Sequence, residues 1–253
     1  MKRIALSVRA SGLIGVLCLA TLPMRAAEPL VADKPILIPG AKGGFDFLEV
    51  DAARRRLLAS HAGNGTLDVF DLDTGELIKL IGTGKAQDAA VDGLAGKYYV
   101  GVSREKIVAV VDGKTLEKTG EIKIPGPSDA IVFDPKNRCL YVDNDDGTSV
   151  FVIDMKTEKI AATVKIPESP EYAVYDQAGD RIFQNIKSSD QVLVIDPASN
   201  TVRDRWPTDP ALKPHGLAFD AASKRLFVAG NNGKLAVMDS ENGKVIKTVD
   251  IAA

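Results

Sequence analysis

The sequence predicts an all-β fold assembled from five copies of one four-stranded unit, and three observations predict it. Asp51, Asp92, Asp134, Asp176 and Asp220 each close an apolar run, at spacings of 41, 42, 42 and 44 residues. Asp71, Asp112, Asp154, Asp196 and Asp239 keep the same beat, at 41, 42, 42 and 43. Every copy divides into short runs rich in β-formers, separated by Gly, Pro, Asn and Asp, and no copy holds a segment of helical period. A period of this length marks an array whose units bury their faces against their neighbours. Four antiparallel strands per copy make the array a β-propeller.

The chain opens on a leader. Lys2, Arg3 and Arg9 precede an apolar stretch at 13–22, and Ala26-Ala27 follow. Basic, apolar and small residues in that order read as a secretory signal. We assign residues 1–27 to it and 28–253 to the propeller, and expect a periplasmic or secreted protein. The apolar stretch is short beside the roughly 20 residues of a spanning helix, so no membrane span is expected after cleavage. Four of the 32 Lys and Arg lie in the leader, leaving 28 against 34 Asp and Glu, a net charge of −6. That balance lacks the basic stripe that nucleic acid needs. Cys18 falls in the leader, so Cys139 has no intrachain partner and reads as a core residue.

Five blades follow, at approximately 42–84, 85–126, 127–168, 169–212 and 213–253. The third shows the plan. Residues 128–134 form the inner strand, Pro135-Lys136-Asn137 a turn, and 138–143 the second strand. A loop at 144–147, a third strand at 149–154, a turn, and an outer strand at 159–166 complete it. The last copy holds its own outer strand at 244–251, while 34–40 resembles an outer strand as well. An extra outer strand with no vacancy suggests that the five blades are part of a larger ring.

Tyr141-Val142-Asp143-Asn144 resembles the Tyr-Val-Thr-Asn signature of the YVTN-repeat bacterial β-propellers, and the resemblance spans about 42–253. It implies an extracytoplasmic propeller and a seven-bladed ring. The signature's Asn column here reads His61, Val102, Asn144, Ile186 and Gly230, so the strict motif holds in one blade.

Five residues before each inner-strand aspartate stand Asp46, Gln87, Asp129, Glu171 and His215, all polar. Blade symmetry places them in a ring at the channel mouth. His61 and Asn144 are expected on the same face. Asp129, Glu171 and His215 are candidate ligands for a divalent metal; the plainer reading is polar side chains facing water. No cofactor is evident otherwise, and without Cys-x-x-Cys-His covalent heme is excluded. Residues 143–147 are similar to a calcium loop, but a tight β-turn explains them. No nucleophile elbow, phosphate loop or dinucleotide fingerprint occurs. The function expected is a monomeric binding or interaction module, taking a protein or a small polar ligand at the mouth. The alternative is a lactonase-type hydrolase using a divalent metal there. An electron-transfer role has no ligand set behind it.

Overall fold

Both aspartate columns are turn formers. In the computed structural model, which describes residues 35–252 apart from Pro39, all ten aspartates accept a backbone N–H from two or three residues further on. Asp51 receives Arg54, and Asp71 receives Asp73 and Thr74. The same bonds recur at Asp92, Asp112, Asp134, Asp154, Asp176, Asp196, Asp220 and Asp239. A carboxylate that satisfies turn N–H groups closes a hairpin. The 42-residue beat is therefore the beat of two hairpins per blade.

Blade one comprises β1 (Leu48–Asp51), β2 (Arg56–His61), β3 (Thr66–Asp71) and β4 (Leu77–Gly82). Blade two comprises β5 (Ala86–Asp92), β6 (Lys97–Val102), β7 (Ile107–Asp112) and β8 (Lys118–Lys123). Blade three comprises β9 (Ile131–Asp134), β10 (Cys139–Asp143), β11 (Ser149–Asp154) and β12 (Lys159–Lys165). Blade four comprises β13 (Pro170–Asp176), β14 (Arg181–Ile186), β15 (Gln191–Asp196) and β16 (Thr201–Pro207). Blade five comprises β17 (Pro214–Asp220), β18 (Arg225–Gly230), β19 (Lys234–Asp239) and β20 (Val245–Asp250). Each blade is one four-stranded antiparallel sheet whose strand order follows the chain. The inner strands of consecutive blades pack side by side: β1 on β5, β5 on β9, β9 on β13, and β13 on β17.

Period-two alternation sends successive side chains to opposite faces of a blade, so each middle blade feeds two cores. Tyr98 and Val100 pack toward blade one, among Leu58, Leu67 and Val69, while Tyr99 packs toward blade three, among Leu140, Val142 and Ile153. Tyr141 and Val152 meet Ile182, Leu193 and Ile195, and Phe183 and Val194 meet Leu226, Val228 and Met238. Trp206 is part of this last core, its ring tilted at 36° to that of Phe183 with centroids 5.6 Å apart. The end blades keep apolar side chains exposed, with Leu48 and Val50 on blade one and Ile246 and Val249 on blade five.

Polar clamps tie neighbouring blades at the face opposite the mouth. The Tyr98 hydroxyl donates to Asp51 Oδ2 across blades one and two (2.7 Å). Arg138 Nη1 donates to Asp92 Oδ1 across blades two and three (2.8 Å). Its Nη2 stands 2.7 Å from Asp92 Oδ2, close enough for an ion pair though off the hydrogen-bond line. Burial alone would raise Asp92; the Arg138 guanidinium and the Ala95 and Leu94 N–H groups outweigh it and hold the carboxyl below its usual range.

Residues 35–38 form no strand, and Leu37 is exposed, so the outer strand expected at 34–40 is not formed over these described residues. The inner strand of blade three begins at Ile131 instead of 128. The proposed signal segment lies outside the described residues. Among those described, no helix is long and apolar enough to cross a membrane.

Candidate functional site at the channel mouth

Three of the five mouth positions sit in β-bulges. The β5–β6 register slips between Ala86 and Asp88, at Gln87. The β13–β14 register slips between Pro170 and Ala173, at Glu171 and Tyr172, and β17–β18 slips between Pro214 and Gly216, at His215. Blade one shows the equivalent feature before β1, where the Asp46 N–H donates to the Ser60 carbonyl and the Ser60 N–H donates to that of Phe47. A bulge adds a residue to one strand and re-aims its side chain. Here the extra residues are the polar ones.

The bulges bring the ring together. Glu171 Oε2 is 3.1 Å from His215 Nε2, and Lys187 Nζ donates to Glu171 Oε1 (2.6 Å). Gln87 Nε2 donates to Asp129 Oδ1 (3.3 Å), and the Asp129 N–H donates to the buried Asp143 (3.0 Å). Burial, followed by the charges of Asp46, Asp145 and Glu171, pushes Asp129 up to about 7. Desolvation likewise raises Asp46, opposed by His215 and Lys85, and raises Asp145 beside Asp146 and Glu171. Lys187 is raised, chiefly by its bond to Glu171. The ring is a mutually repelling set of carboxyls with few counter-charges, and so favours either protons or a bound cation.

Below it runs a channel cavity of about 220 Å³, whose lining includes Glu49, Asp88, Val132 and Tyr172. Burial pushes Glu49 up to about 7 and Asp88 and Asp143 well above the carboxylate range. Phe47 and Tyr172 meet edge to face near the top, their centroids 4.6 Å apart, and His215 lies 6.2 Å from Phe47. The channel thus continues the acid column inward from the mouth, with an aromatic pair between the two levels.

His61 lies apart from this ring. It is wholly buried, with Nδ1 2.7 Å from Asp68, Nε2 3.1 Å from the Lys42 carbonyl and Phe45 tilted against it at 4.3 Å. Both ring nitrogens are engaged, so it braces blade one and does not face His215 across the mouth. Asn144 is also turned aside. Its amide occupies the space that a Cβ would need at Gly126 and at Gly147, so it packs the hairpin against both glycines. In the calcium-like loop, Asp143 points inward to the Asp129 N–H. Asp129, Glu171 and His215 do not converge on an ion, and among the described residues no group of three or more His, Cys, Asp or Glu has metal-holding geometry. Glu171 is instead committed to His215 and Lys187, and Asp129 to Gln87. Cys139 is half-buried and desolvation raises its thiol, which leaves it a poor nucleophile.

Sequence reasoning missed Asp145, Lys187 and the channel acids Glu49 and Asp88. Asp88 is next to a mouth residue in sequence, and in a regular strand neighbours alternate faces. The bulge at Gln87 breaks that alternation, so no periodic signal marked Asp88 as a channel residue.

Fold and mouth together define a β-propeller with an acidic, acceptor-rich opening. The chain belongs to the Cytochrome D1 heme domain family, whose profile matches residues 45–224. Among solved structures it is similar to a chain of Kuenenia stuttgartiensis hydrazine synthase. The TM-score is 0.58 at 16% identity, over 74% of this chain and 74% of that one, a likeness that shows the fold alone. A search of curated proteins returns no significant match.

Proposed function

We propose that this protein is an extracytoplasmic binding module that takes a small polar ligand at the channel mouth. The observation that carries the reading is the ring itself: Asp46, Asp129, Glu171 and His215 are brought into mutual contact or charge coupling. Holding repelling acids together costs stability, which a folded protein tolerates at functional sites. The leader-like residues 1–27 and the YVTN-type resemblance support a periplasmic location.

The family name raises heme, and the residues at the mouth do not fit it. The channel cavity beneath the mouth is walled by Glu49 and Asp88. Its acids would oppose the propionates of a heme. Of the two histidines, His61 is sealed and His215 is paired with Glu171; Met155 and Met238 are buried in the blade cores. The lactonase reading needs a metal cluster for which the described residues offer only the Glu171–His215 pair.

The test compares wild-type protein with the double variant Asp129→Ala/His215→Ala by thermal shift, using calcium chloride, zinc chloride, n-butylammonium chloride and hemin as probes. At least one cationic probe is expected to raise the wild-type Tm by several degrees and to leave the folded double variant unmoved. Hemin is expected to give no saturable Soret shift. A cationic probe that shifts both proteins equally, or a His215-dependent hemin complex, overturns the reading.

A further inference from the structure

The Gln87 side chain is 6% exposed, and its Oε1 has no hydrogen-bond partner among the described residues, while its Nε2 donates into the acid ring at Asp129. A buried acceptor left unmade is costly, and the site surrounding this one is dominated by further acceptors. Lys187 and His215 are both engaged with Glu171. A complementary ligand therefore brings hydrogen-bond donors and positive charge.

A second group of side chains narrows the class. Phe47 and Tyr172 form an edge-to-face pair at the base of the mouth, next to His215. Aromatic faces attract organic cations, and a hydrocarbon chain buries against them. A divalent metal favours several carboxylates or imidazoles gathered around it, and among the described residues no group of three or more His, Cys, Asp or Glu is so arranged. An ammonium group spans acceptors set further apart, at N–H···O distances of about 2.7–3.2 Å.

We propose that the mouth recognises an organic ammonium ion. The Gln87 carbonyl oxygen accepts one of its N–H groups, Asp46 and Asp129 supply the counter-charge, and Tyr172, which lines the channel cavity beside Phe47, receives its carbon chain. This rests on the reading of the mouth as the ligand site and names the ligand's chemistry. The groups facing Asp129 are Asp46, Asp88, Asp143, Asp145, Glu171 and Lys187, with Lys85 and His215 acting on Asp46.

The test is calorimetric titration of the purified chain at pH 8 and constant ionic strength, with n-butylammonium, tetramethylammonium and calcium chlorides. Wild type is expected to bind n-butylammonium at one site. Gln87→Leu is expected to weaken it at least tenfold, the loss of a hydrogen bond to a charged group, and Gln87→Glu to tighten it. Tetramethylammonium, which has no N–H, is expected to be indifferent to Gln87→Leu. Unchanged n-butylammonium affinity in Gln87→Leu overturns the proposal. If Gln87→Leu does not fold, the absence of any gain in Gln87→Glu overturns it instead. Calcium binding that Asp129→Ala/His215→Ala abolishes, without n-butylammonium binding, overturns the ammonium class and keeps the mouth as the site. If no probe responds to that double variant, the mouth reading fails as well.

Discussion

Asp129→Asn is expected to stabilise the protein at pH 8 by about 4 kcal/mol while weakening cation binding at the mouth. Burial and the surrounding acids push Asp129 from 3.8 up to about 7, and each unit of such a shift corresponds to about 1.4 kcal/mol. The folded-state pKa is raised, so this group's stabilising contribution is fully present below pH 3.8 and is lost as pH rises through 7. An amide cannot ionise and escapes that loss. The benefit of Asp129→Asn should therefore shrink as the pH falls below 7 and vanish near pH 4. Urea unfolding at pH 8, 6 and 4 measures it. Equal stability of the two proteins at pH 8 would show that the ring is not strained. A gain in stability with a loss of binding is the pattern of a residue kept for function.

Asp92→Ala is expected to have the largest destabilising effect, about 3 kcal/mol, the scale of breaking a buried, hydrogen-bonded charge pair. The substitution removes the two N–H acceptor bonds of the turn and strips Arg138 of its partner across the interface between blades two and three. Its pH dependence runs opposite to that of Asp129. The Asp92 pKa is depressed, so its stabilisation is present above the unfolded pKa and lost as pH falls through the folded one. Asp112→Ala removes the corresponding turn acceptor at a half-buried position that has no cross-blade hydrogen bond among the described residues and should lower the urea midpoint far less. Equal midpoints for the two variants would contradict the clamp.

The repeat was legible because its markers are local. Each aspartate closes a turn within three residues of itself, so the same side chain recurs wherever the same hairpin does. The mouth ring was legible in part: Asp46, Gln87, Asp129, Glu171 and His215 could be reached by counting along the repeat. The role of His61 was not, because its partners Asp68 and Lys42 come together only once β2 and β3 pair and the preceding loop folds over them. Nor was Asn144, whose family-signature position is explained by packing on Gly126 and Gly147. The bulges at Gln87, Glu171 and His215 leave no composition signal, yet they decide which side chains reach the channel.

The most direct test of the central claim, that the mouth around Asp129 binds a cation, is the proton balance of binding. Titrating n-butylammonium into the protein at pH 6.5, in two buffers of different ionisation enthalpy, gives the protons exchanged per ligand bound. The account predicts net proton release from wild type, reduced in Asp129→Asn and absent from both at pH 9. Binding without proton release at pH 6.5, or release that Asp129→Asn leaves unchanged, would contradict it.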